Sequence, residues 1–167
     1  VQVMVGGDGS ISIRDKVTGH LYGPMLIFDD GGDIGDEYNY VCPENDRTIT
    51  TEGRPAQIRP VNMTPFQGTL QIERLLPLPE TADLNDGRRV RNNLDCLIST
   101  RITLKAGDPT LYCETRLENR SSFHRLRVIF QSNLSSEKTW ADSPFDIIER
   151  PAAPPEEWKG ASRQSPL

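Results

Sequence analysis

The amino-acid sequence predicts an all-β protein, an antiparallel β-sandwich. Apolar and polar residues alternate in several short segments, and clusters of glycine, aspartate or proline separate these segments. No window keeps the i, i+3, i+4, i+7 spacing of an amphipathic helix over three turns. Two antiparallel sheets are the usual way to bury many half-apolar strands. The length of 167 residues suits one sandwich domain, 1–150, followed by a proline-rich tail or linker, 151–167.

The first strands are expected around two tight turns. Valines alternate with other residues over 1–5, and a glycine-rich turn at 6–9 leads into the alternating residues 11–13, which is a hairpin signal. A second turn lies at 15–19. Residues 25–28 then form a wholly apolar run, which predicts a strand buried on both faces.

The middle of the chain predicts shorter and less regular strands. Residues 57–63 form strand pieces on both sides of Pro60, which places them at a sheet edge or at a bulge. Residues 68–75 alternate well and predict a strand. The following stretch, 77–91, is typical of an exposed loop, with its turn at 85–87.

The second half predicts three successive strands joined as an antiparallel meander. They span 96–104, 111–117 and 123–130, where β-branched and aromatic residues are frequent. Residues 145–149 are also able to pair with a sheet, and the prolines of 151–155 then favour an extended arm.

Charge and composition exclude several classes of partner. The net charge is −5 and the pI is about 5.1, and an acidic surface repels phosphate backbones, so we expect no nucleic-acid partner. We expect no membrane span and no signal peptide, because no apolar run approaches about 20 residues. Cys42, Cys96 and Cys113 show no C-x-x-C spacing, which favours reduced thiols in a cytoplasmic protein over a disulfide.

The acidic segment, residues 29–40, is predicted to form a loop at the end of the preceding strand and is the best candidate site. It holds five carboxylates, three glycines and two tyrosines directly after the apolar run. Clustered carboxylates repel one another unless cations or hydrogen-bond donors collect them. Tyr38 and Tyr40 share a face if the segment is extended, and they then form a platform for a sugar or another apolar ligand face. The alternative is that both tyrosines are core or rim aromatics.

Simpler chemistries fit this segment poorly. Four aspartates of the segment could bind calcium, namely Asp29, Asp30, Asp33 and Asp36. Their spacing, however, is not that of an EF-hand. His20 and His124 stand far apart and outside any zinc pattern. Adjacent carboxylates such as Asp36 and Glu37 point to opposite faces of a strand, which is wrong for a pair that flanks one glycosidic bond. No nucleophile elbow is present.

Four motifs in order resemble bacterial family 38 glycoside hydrolases, the zinc-dependent α-mannosidases that include mannosylglycerate hydrolases. The acidic segment ends in Gly-Asp-Glu-Tyr-Asn-Tyr at 35–40, which is similar to the family's G-D-E-Y-N/D-Y/F signature. Residues 8–19 resemble its D-G-T-[LI]-x-[LI]-x-D-K-x-T-G hairpin. Residues 117–130 resemble its V-x-N-R…H-R-L-R-V-x-F stretch, and residues 143–151 its S-x-F-D-[VI]-[VI]-x-R-P segment.

The resemblance implies a non-catalytic part of such an enzyme. It covers the β-sandwich region, related to the galactose-mutarotase-like supersandwich. The resemblance therefore implies that the zinc ligands and the aspartate nucleophile of the retaining mechanism lie in another domain. We accordingly expect no catalytic residue, metal site or cofactor in this chain, which would be inactive alone. The expected partners are the catalytic domain of the same polypeptide, α-mannoside sugars and, through exposed strand faces, a second copy of the chain.

Particular residues follow from this resemblance. Asp36, Glu37, Tyr38 and Tyr40 are expected to contact substrate at the border with the catalytic domain. Two further candidates, His124 and Arg125, have a structural alternative, in which Leu126 faces inward while Arg125 and Arg127 form surface salt bridges.

Two other classes of function stay open. The chain could be a stand-alone carbohydrate-binding module or a scaffold without a ligand. Binding modules usually present exposed tryptophans, whereas Trp140 is expected in a loop and Trp158 in the tail, which disfavours the module.

Overall fold

Two antiparallel sheets enclose the hydrophobic core of the protein. The computed structural model describes residues 1–36 and 38–153, which form strands joined by turns and loops, and the all-β prediction is confirmed. In these ranges no helix has the length and apolarity to cross a membrane. The strands are β1 (Gln2–Val5), β2 (Ile11–Arg14), β3 (Leu21–Gly32), β4 (Ile49–Thr50), β5 (Gln57–Thr64), β6 (Gln67–Pro79), β7 (Ala82–Asp83), β8 (Arg88–Arg89), β9 (Asn93–Lys105), β10 (Leu111–Glu118), β11 (His124–Phe130), β12 (Lys138–Ser143) and β13 (Asp146–Pro151).

The first sheet has the order β1-β2-β3-β11, and the short β4 pairs with β3. Asp29 of β3 pairs with Arg127 of β11 on one side and with Thr50 of β4 on the other. The predicted first hairpin is confirmed, with Val5 opposite Ile11. The second sheet has the order β10-β9-β6-β5, and its centre is the long antiparallel pair of β6 and β9.

The core lies between the two sheets. Because side chains alternate along a strand, every second residue of β6 and β9 faces the first sheet. Burying one Leu, Ile or Phe side chain stabilises the fold by about 1.5–3 kcal/mol. The buried apolar residues of this cluster are Ile11, Met25, Leu26, Phe28, Ile72, Leu76, Leu78, Cys96, Ile98 and Ile102.

A bulge explains why four consecutive residues of β3 are buried. Ile129 pairs with Ile27, but Phe130 pairs with Met25, so Leu26 is the extra residue. Its φ of 60° lies in the left-handed region, which a branched residue adopts only when packing overcomes the strain. The prediction that residues 25–28 are buried is confirmed.

Arg74 joins the two sheets from inside the core. It lies on β6 and is 3% exposed, and burial lowers its pKa to about 10. Its guanidinium donates to the carbonyl oxygens of Asp8, at 3.0 Å, and of Gly9 in the turn between β1 and β2. It also lies 5.5 Å from the ring centroid of Phe28. Backbone carbonyls thus accept from Nε and Nη2 of this buried cation, whereas its Nη1 has no hydrogen-bond partner among the described residues.

The predicted meander of three strands is wrong in its last strand. β9 and β10 pair as expected, but β11 crosses to the first sheet and pairs with β3. Alternation shows that a segment is half-buried and does not identify its partner.

The predicted exposed loop from residue 77 begins too early. β6 continues to Pro79, and Leu78 is fully buried. β5 pairs with β6 only as far as Glu73, so Pro77 and Pro79 lie where β6 has no neighbouring strand on that side. A proline at such an edge lacks an N–H group but removes no hydrogen bond between strands. The predicted turn at 85–87 lies within the β7–β8 hairpin.

The bulge expected beside Pro60 is also present, as a shift in the pairing register between β5 and β6.

The segment before the tail forms a separate hairpin of β12 and β13. Pairing of residues 145–149 is confirmed for those in β13. Trp140 lies in β12 and not in a loop, because it pairs with Glu149. The boundary at residue 150 stays a prediction, and Trp158 with residues 154–167 lies outside the described residues.

Candidate functional site

The structure divides the acidic segment between a strand and a loop. Residues 29–32 belong to β3, and the loop proper is formed by residues 33–40, called loop 33–40 below. The expectation that the loop begins at Asp29 is therefore wrong. The reason is the ladder with β11, which continues until His124 pairs with Gly32.

Asp29 forms the salt bridge expected on this face. Its two carboxylate oxygens accept hydrogen bonds from Nε and Nη2 of Arg127, at 3.0 and 2.9 Å. The side chain of Arg127 is 45% exposed, and pairs of this kind contribute at most about 1 kcal/mol. The surface role predicted for Arg127 is confirmed.

Asp30, one residue further, is the centre of a buried polar network. It has no exposed surface, and its carboxylate bonds Nδ1 of His124 and Nη2 of Arg89. Asp46 extends the network, because its Oδ1 lies 3.7 Å from Nη1 of Arg89 and its Oδ2 accepts the N–H of Gly32 at 2.6 Å. Removal of a carboxylate from water costs several kcal/mol unless charged partners compensate it. This network is called the Asp30 network below.

Gly32 has to be a glycine for the network to close. A Cβ on this residue would lie 2.5 Å from Cγ of Pro43 and 2.8 Å from Cδ of Arg89. The chain after β3 therefore passes directly against the 43–46 turn and β8. The end of β3 is fixed from both sides before loop 33–40 begins.

Internal hydrogen bonds shape loop 33–40. Asp33 Oδ1 accepts the N–H groups of Gly35 and Val41, at 3.0 and 3.1 Å, which closes the loop across its base. Asp36 Oδ1 accepts the N–H groups of Tyr38 and Asn39, at 2.9 and 2.8 Å. These backbone donors lower the pKa of Asp36 below 3.8. Asp36 therefore stays ionised and exposed near neutral pH.

The two tyrosines have different environments. The side chain of Tyr38 is 82% exposed. Tyr40 is half-buried, and the guanidinium of Arg125 lies 4.0 Å from its ring centroid. Burial raises the pKa of Tyr40, and Cys42 raises it further. Arg125 thus stacks on an aromatic ring, where a surface salt bridge was expected.

The candidate residues therefore differ in burial. Asp36 and Tyr38 lie exposed in the loop, whereas Tyr40 at its end is half-buried and contacts Arg125 of β11. His124 has a side chain only 5% exposed and belongs to the Asp30 network, which agrees with the structural alternative. Glu37 lies outside the described residues. Sequence reasoning missed Arg89 and Asp46, which stand in polar stretches that carry no periodic signal.

The described carboxylates do not form a metal site. In residues 1–36 and 38–153, no three His, Cys, Asp or Glu side chains are placed to share a metal ion. The aspartates considered for calcium each accept separate protein donors. The described residues thus do not fit a resident zinc ion. What the loop offers is a carboxylate acceptor and an exposed aromatic ring, beside a rigid strand end.

These features define the protein as an antiparallel β-sandwich domain with a polar, tyrosine-bearing loop at the end of a central strand. The model of the Glycosyl hydrolases family 38 C-terminal domain matches residues 1–167, and the chain belongs to this family.

Individual relatives agree with the family. A putative mannosylglycerate hydrolase of Halalkalibacterium halodurans is 31% identical over 173 residues, which cover 95% of this chain and 19% of the relative. An α-mannosidase structure from Enterococcus faecalis V583 is 32% identical with a TM-score of 0.89, over 95% of this chain and 20% of that one. A family 38 glycosyl hydrolase structure from Enterococcus faecalis is 33% identical with a TM-score of 0.85, over 90% and 20%. The chain thus spans about a fifth of the length of these relatives.

Proposed function

We propose that this chain is the non-catalytic β-sandwich of an α-mannosidase that hydrolyses terminal α-mannosides. In this proposal the sandwich packs on a catalytic domain of the same cytoplasmic polypeptide, and loop 33–40 rims the active site. The observation that carries the proposal is the family match over residues 1–167, in a chain that spans about a fifth of its relatives. The zinc ion and the paired carboxyls of a retaining mechanism belong, in this proposal, to the catalytic domain.

The geometry of loop 33–40 supports a role in substrate binding. Asp36 uses Oδ1 for two backbone N–H groups and for the side-chain amide of Asn39, so its Oδ2 can accept sugar hydroxyls. An exposed aromatic ring such as that of Tyr38 can cover the apolar face of a pyranose. The Asp30 network fixes the end of β3 from which the loop starts, so less ordering is needed when a ligand binds.

Exposed apolar side chains support a large partner surface. Four large apolar residues on β10 and on the β12–β13 hairpin are 48–107% exposed, and apolar side chains exposed to solvent are typical of interfaces. They are Leu117 at 48%, Trp140 at 68%, Ile147 at 64% and Phe145 at 107%. Contact with a catalytic domain would bury them.

The experiment begins with the reading frame. An α/β segment with zinc ligands upstream of this chain is expected, and its absence would refute the proposal. In the longer polypeptide, we expect Asp36→Ala and Tyr38→Ala each to lower kcat/KM for an aryl α-mannoside about tenfold or more, because each removes a polar or stacking contact.

Matched controls are available in turns away from the loop. Asp15 accepts the N–H of Val17 at 2.8 Å in an exposed turn, and Phe66 is 78% exposed in the turn between β5 and β6. Asp15→Ala and Phe66→Ala should leave kcat/KM unchanged. Equal kinetics in the loop variants and the controls, at equal stability, would exclude loop 33–40 from the substrate site.

A second candidate function has one observation in its favour. Trp140 is 68% exposed on β12, as the platform of a carbohydrate-binding module would be. Calorimetric titration of the chain with mannose and mannobiose separates this candidate from the first. Binding that Trp140→Ala abolishes would favour a binding module, whereas no binding favours the accessory domain.

A further inference from the structure

The sandwich is open along one side, between β10 and β11. β10 is an edge strand of the second sheet, and β11 is an edge strand of the first. The connection between them is only the five residues 119–123. A connection of this length spans at most about 20 Å, and packed sheets lie about 10 Å apart, so both strands border the same side of the sandwich. The space between them is called the side opening below.

β10 has the residue pattern of a strand with one buried face. Three of its residues pair with buried residues of β9 and face the same way as these partners, toward the core; they are Cys113, Thr115 and Leu117. The hydroxyl of Thr115 lies 3.1 Å from that of the buried Thr100, which agrees with this direction. The charged residues alternate with them and face outward; they are Glu114, Arg116 and Glu118. Yet all three core-facing residues are exposed.

β11 shows the same mismatch between pattern and burial. Val128 pairs with Phe28, a core residue of β3, and therefore faces the core. It is nevertheless 42% exposed, and Phe130, the next residue on this face, is 54% exposed. At the other edge of the same sheet, Val3 and Val5 of β1 pack against the core. β11 thus lacks, at the side opening, the cover that β1 has at the opposite side.

Both strands also have a free backbone edge at the side opening. In residues 1–36 and 38–153, β10 pairs only with β9, and β11 pairs only with β3. A free edge is a template for a further strand, and proteins often protect such an edge with proline or lysine. β10 and β11 contain neither proline nor lysine. β10 has more room for a further strand, because residues 112–118 are all exposed, whereas several residues of β11 are half-buried.

The length of the relatives indicates what fills the side opening. The chain covers only 19–20% of two of them, so about four-fifths of such a polypeptide lies outside the matched part. A strand of the same polypeptide is present at a high effective concentration, whereas a second copy has to associate from solution. We propose that an extended segment of the same polypeptide, from outside residues 1–167, pairs with β10 and inserts alternate apolar side chains into the side opening.

This strand refines one contact of the proposed function. The longer polypeptide rests on that proposed function, whereas the side opening rests on β10 and β11 alone. A catalytic domain that docks as a folded surface would bury Leu117 but leave the free edge of β10 unpaired. A strand that pairs with β10 buries Leu117 and also accepts hydrogen bonds from the N–H groups at this edge. The state of these N–H groups therefore distinguishes the two contacts.

Hydrogen exchange of the longer polypeptide, resolved to single residues, measures those N–H groups. In an edge strand of an antiparallel sheet, only every second N–H bonds the one neighbouring strand. We expect both alternate sets of β10 amides to exchange equally slowly, within about tenfold of each other. Protection of only every second amide would overturn the proposal, because β10 would then still be an edge. A dimer whose β10 amides lose protection on dilution would also overturn it, because a second copy would then fill the side opening.

A charge in the side opening tests the same contact. In the longer polypeptide, Leu117→Asp should lower the melting temperature by about 5 °C or more and speed the exchange of the β10 amides at least about tenfold. If that variant does not fold, Leu117→Ala tests the same direction with a smaller effect. The control is Val17→Asp, at a residue 94% exposed in the turn between β2 and β3, and we expect a change of less than about 1 °C. Equal effects at the two positions would contradict the strand. None of these measurements depends on kcat/KM, so the two proposals fail separately.

Discussion

Asp30 of β3 and His124 of β11 lie on neighbouring strands, and Oδ2 of the fully buried aspartate bonds Nδ1 of the histidine. Residues 124 and 30 are two positions apart in the β3–β11 ladder, where His124 pairs with Gly32. The contact is therefore a diagonal one, made by the side chains. The contact joins β3, which leads into loop 33–40, to β11, which was predicted to pair with β10 in the other sheet.

The first prediction concerns Asp30. Asp30→Ala should lower the free energy of unfolding by about 3–5 kcal/mol, because it leaves Arg89 and His124 buried without their shared carboxylate. Urea unfolding followed by circular dichroism measures this. The control is Asp29→Ala, which removes only the partly exposed bridge to Arg127 and should cost no more than about 1 kcal/mol. Equal losses in the two variants would contradict the buried network.

The second prediction concerns Gly32. Gly32→Ala should destabilise the fold by about 1–3 kcal/mol, because the added methyl group would meet Pro43 and Arg89 at 2.5 and 2.8 Å. The measurement is again the free energy of unfolding. Gly7→Ala is the matched control, since a Cβ there meets nothing within 4 Å, and we expect a change within about 0.5 kcal/mol. A Gly32→Ala variant as stable as Gly7→Ala would show that the turn at 43–46 can move away.

The strands could be predicted from the sequence because alternation reports burial directly. Residues 96–104 alternate, and the structure buries Cys96, Ile98, Thr100 and Ile102 on one face of β9. The two opening turns were equally predictable, because glycine and aspartate at fixed spacing close tight hairpins. These signals lie within a few residues of one another.

The partner of β11 could not be predicted in the same way. Its choice between β10 and β3 depends on contacts with residues almost 100 positions earlier, including Asp29 and Asp30. The candidate site shows the same limit. Asp36 and Tyr38 were visible in a local cluster, whereas Arg89 reaches Asp30, and Asp46 reaches Arg89, only in the folded sheets.

The third prediction is a pH dependence at Asp36. Hydrogen bonds from the backbone N–H groups of Tyr38 and Asn39 hold its pKa below the ordinary value of 3.8. The folded state therefore binds fewer protons than the unfolded state just below pH 3.8. The stabilisation of the loop by Asp36 is fully present above that pH, and it is lost as the pH falls through the lower pKa of the folded state. Titration of the Asp36 carboxyl carbon by NMR measures the midpoint.

The control for this titration is Asn39→Ala, which keeps the backbone donors. Its midpoint should rise only slightly, because the side-chain bond from Asn39 has a smaller effect than the two backbone bonds. A wild-type midpoint at or above 3.8 would contradict the capped geometry of the loop.

The last prediction concerns the stack of Arg125 on Tyr40 at the base of the loop. A double-mutant cycle with Arg125→Met and Tyr40→Leu should give a coupling energy of about 0.5–1 kcal/mol, because the guanidinium lies 4.0 Å from the ring centroid. The positive charge of Arg125 also lowers the pKa of Tyr40, against the larger effect of burial, so Arg125→Met should raise the tyrosine titration midpoint further. Lys105 of β9 and Tyr112 of β10 form the control pair, both exposed, with Nζ 4.8 Å from the ring centroid, and should couple more weakly. If the control pair couples as strongly, or if the midpoint of Tyr40 does not rise, Arg125 does not fix the base of the loop. Any loss of kcat/KM caused by Arg125→Met in the longer polypeptide would then require a direct contact between Arg125 and substrate.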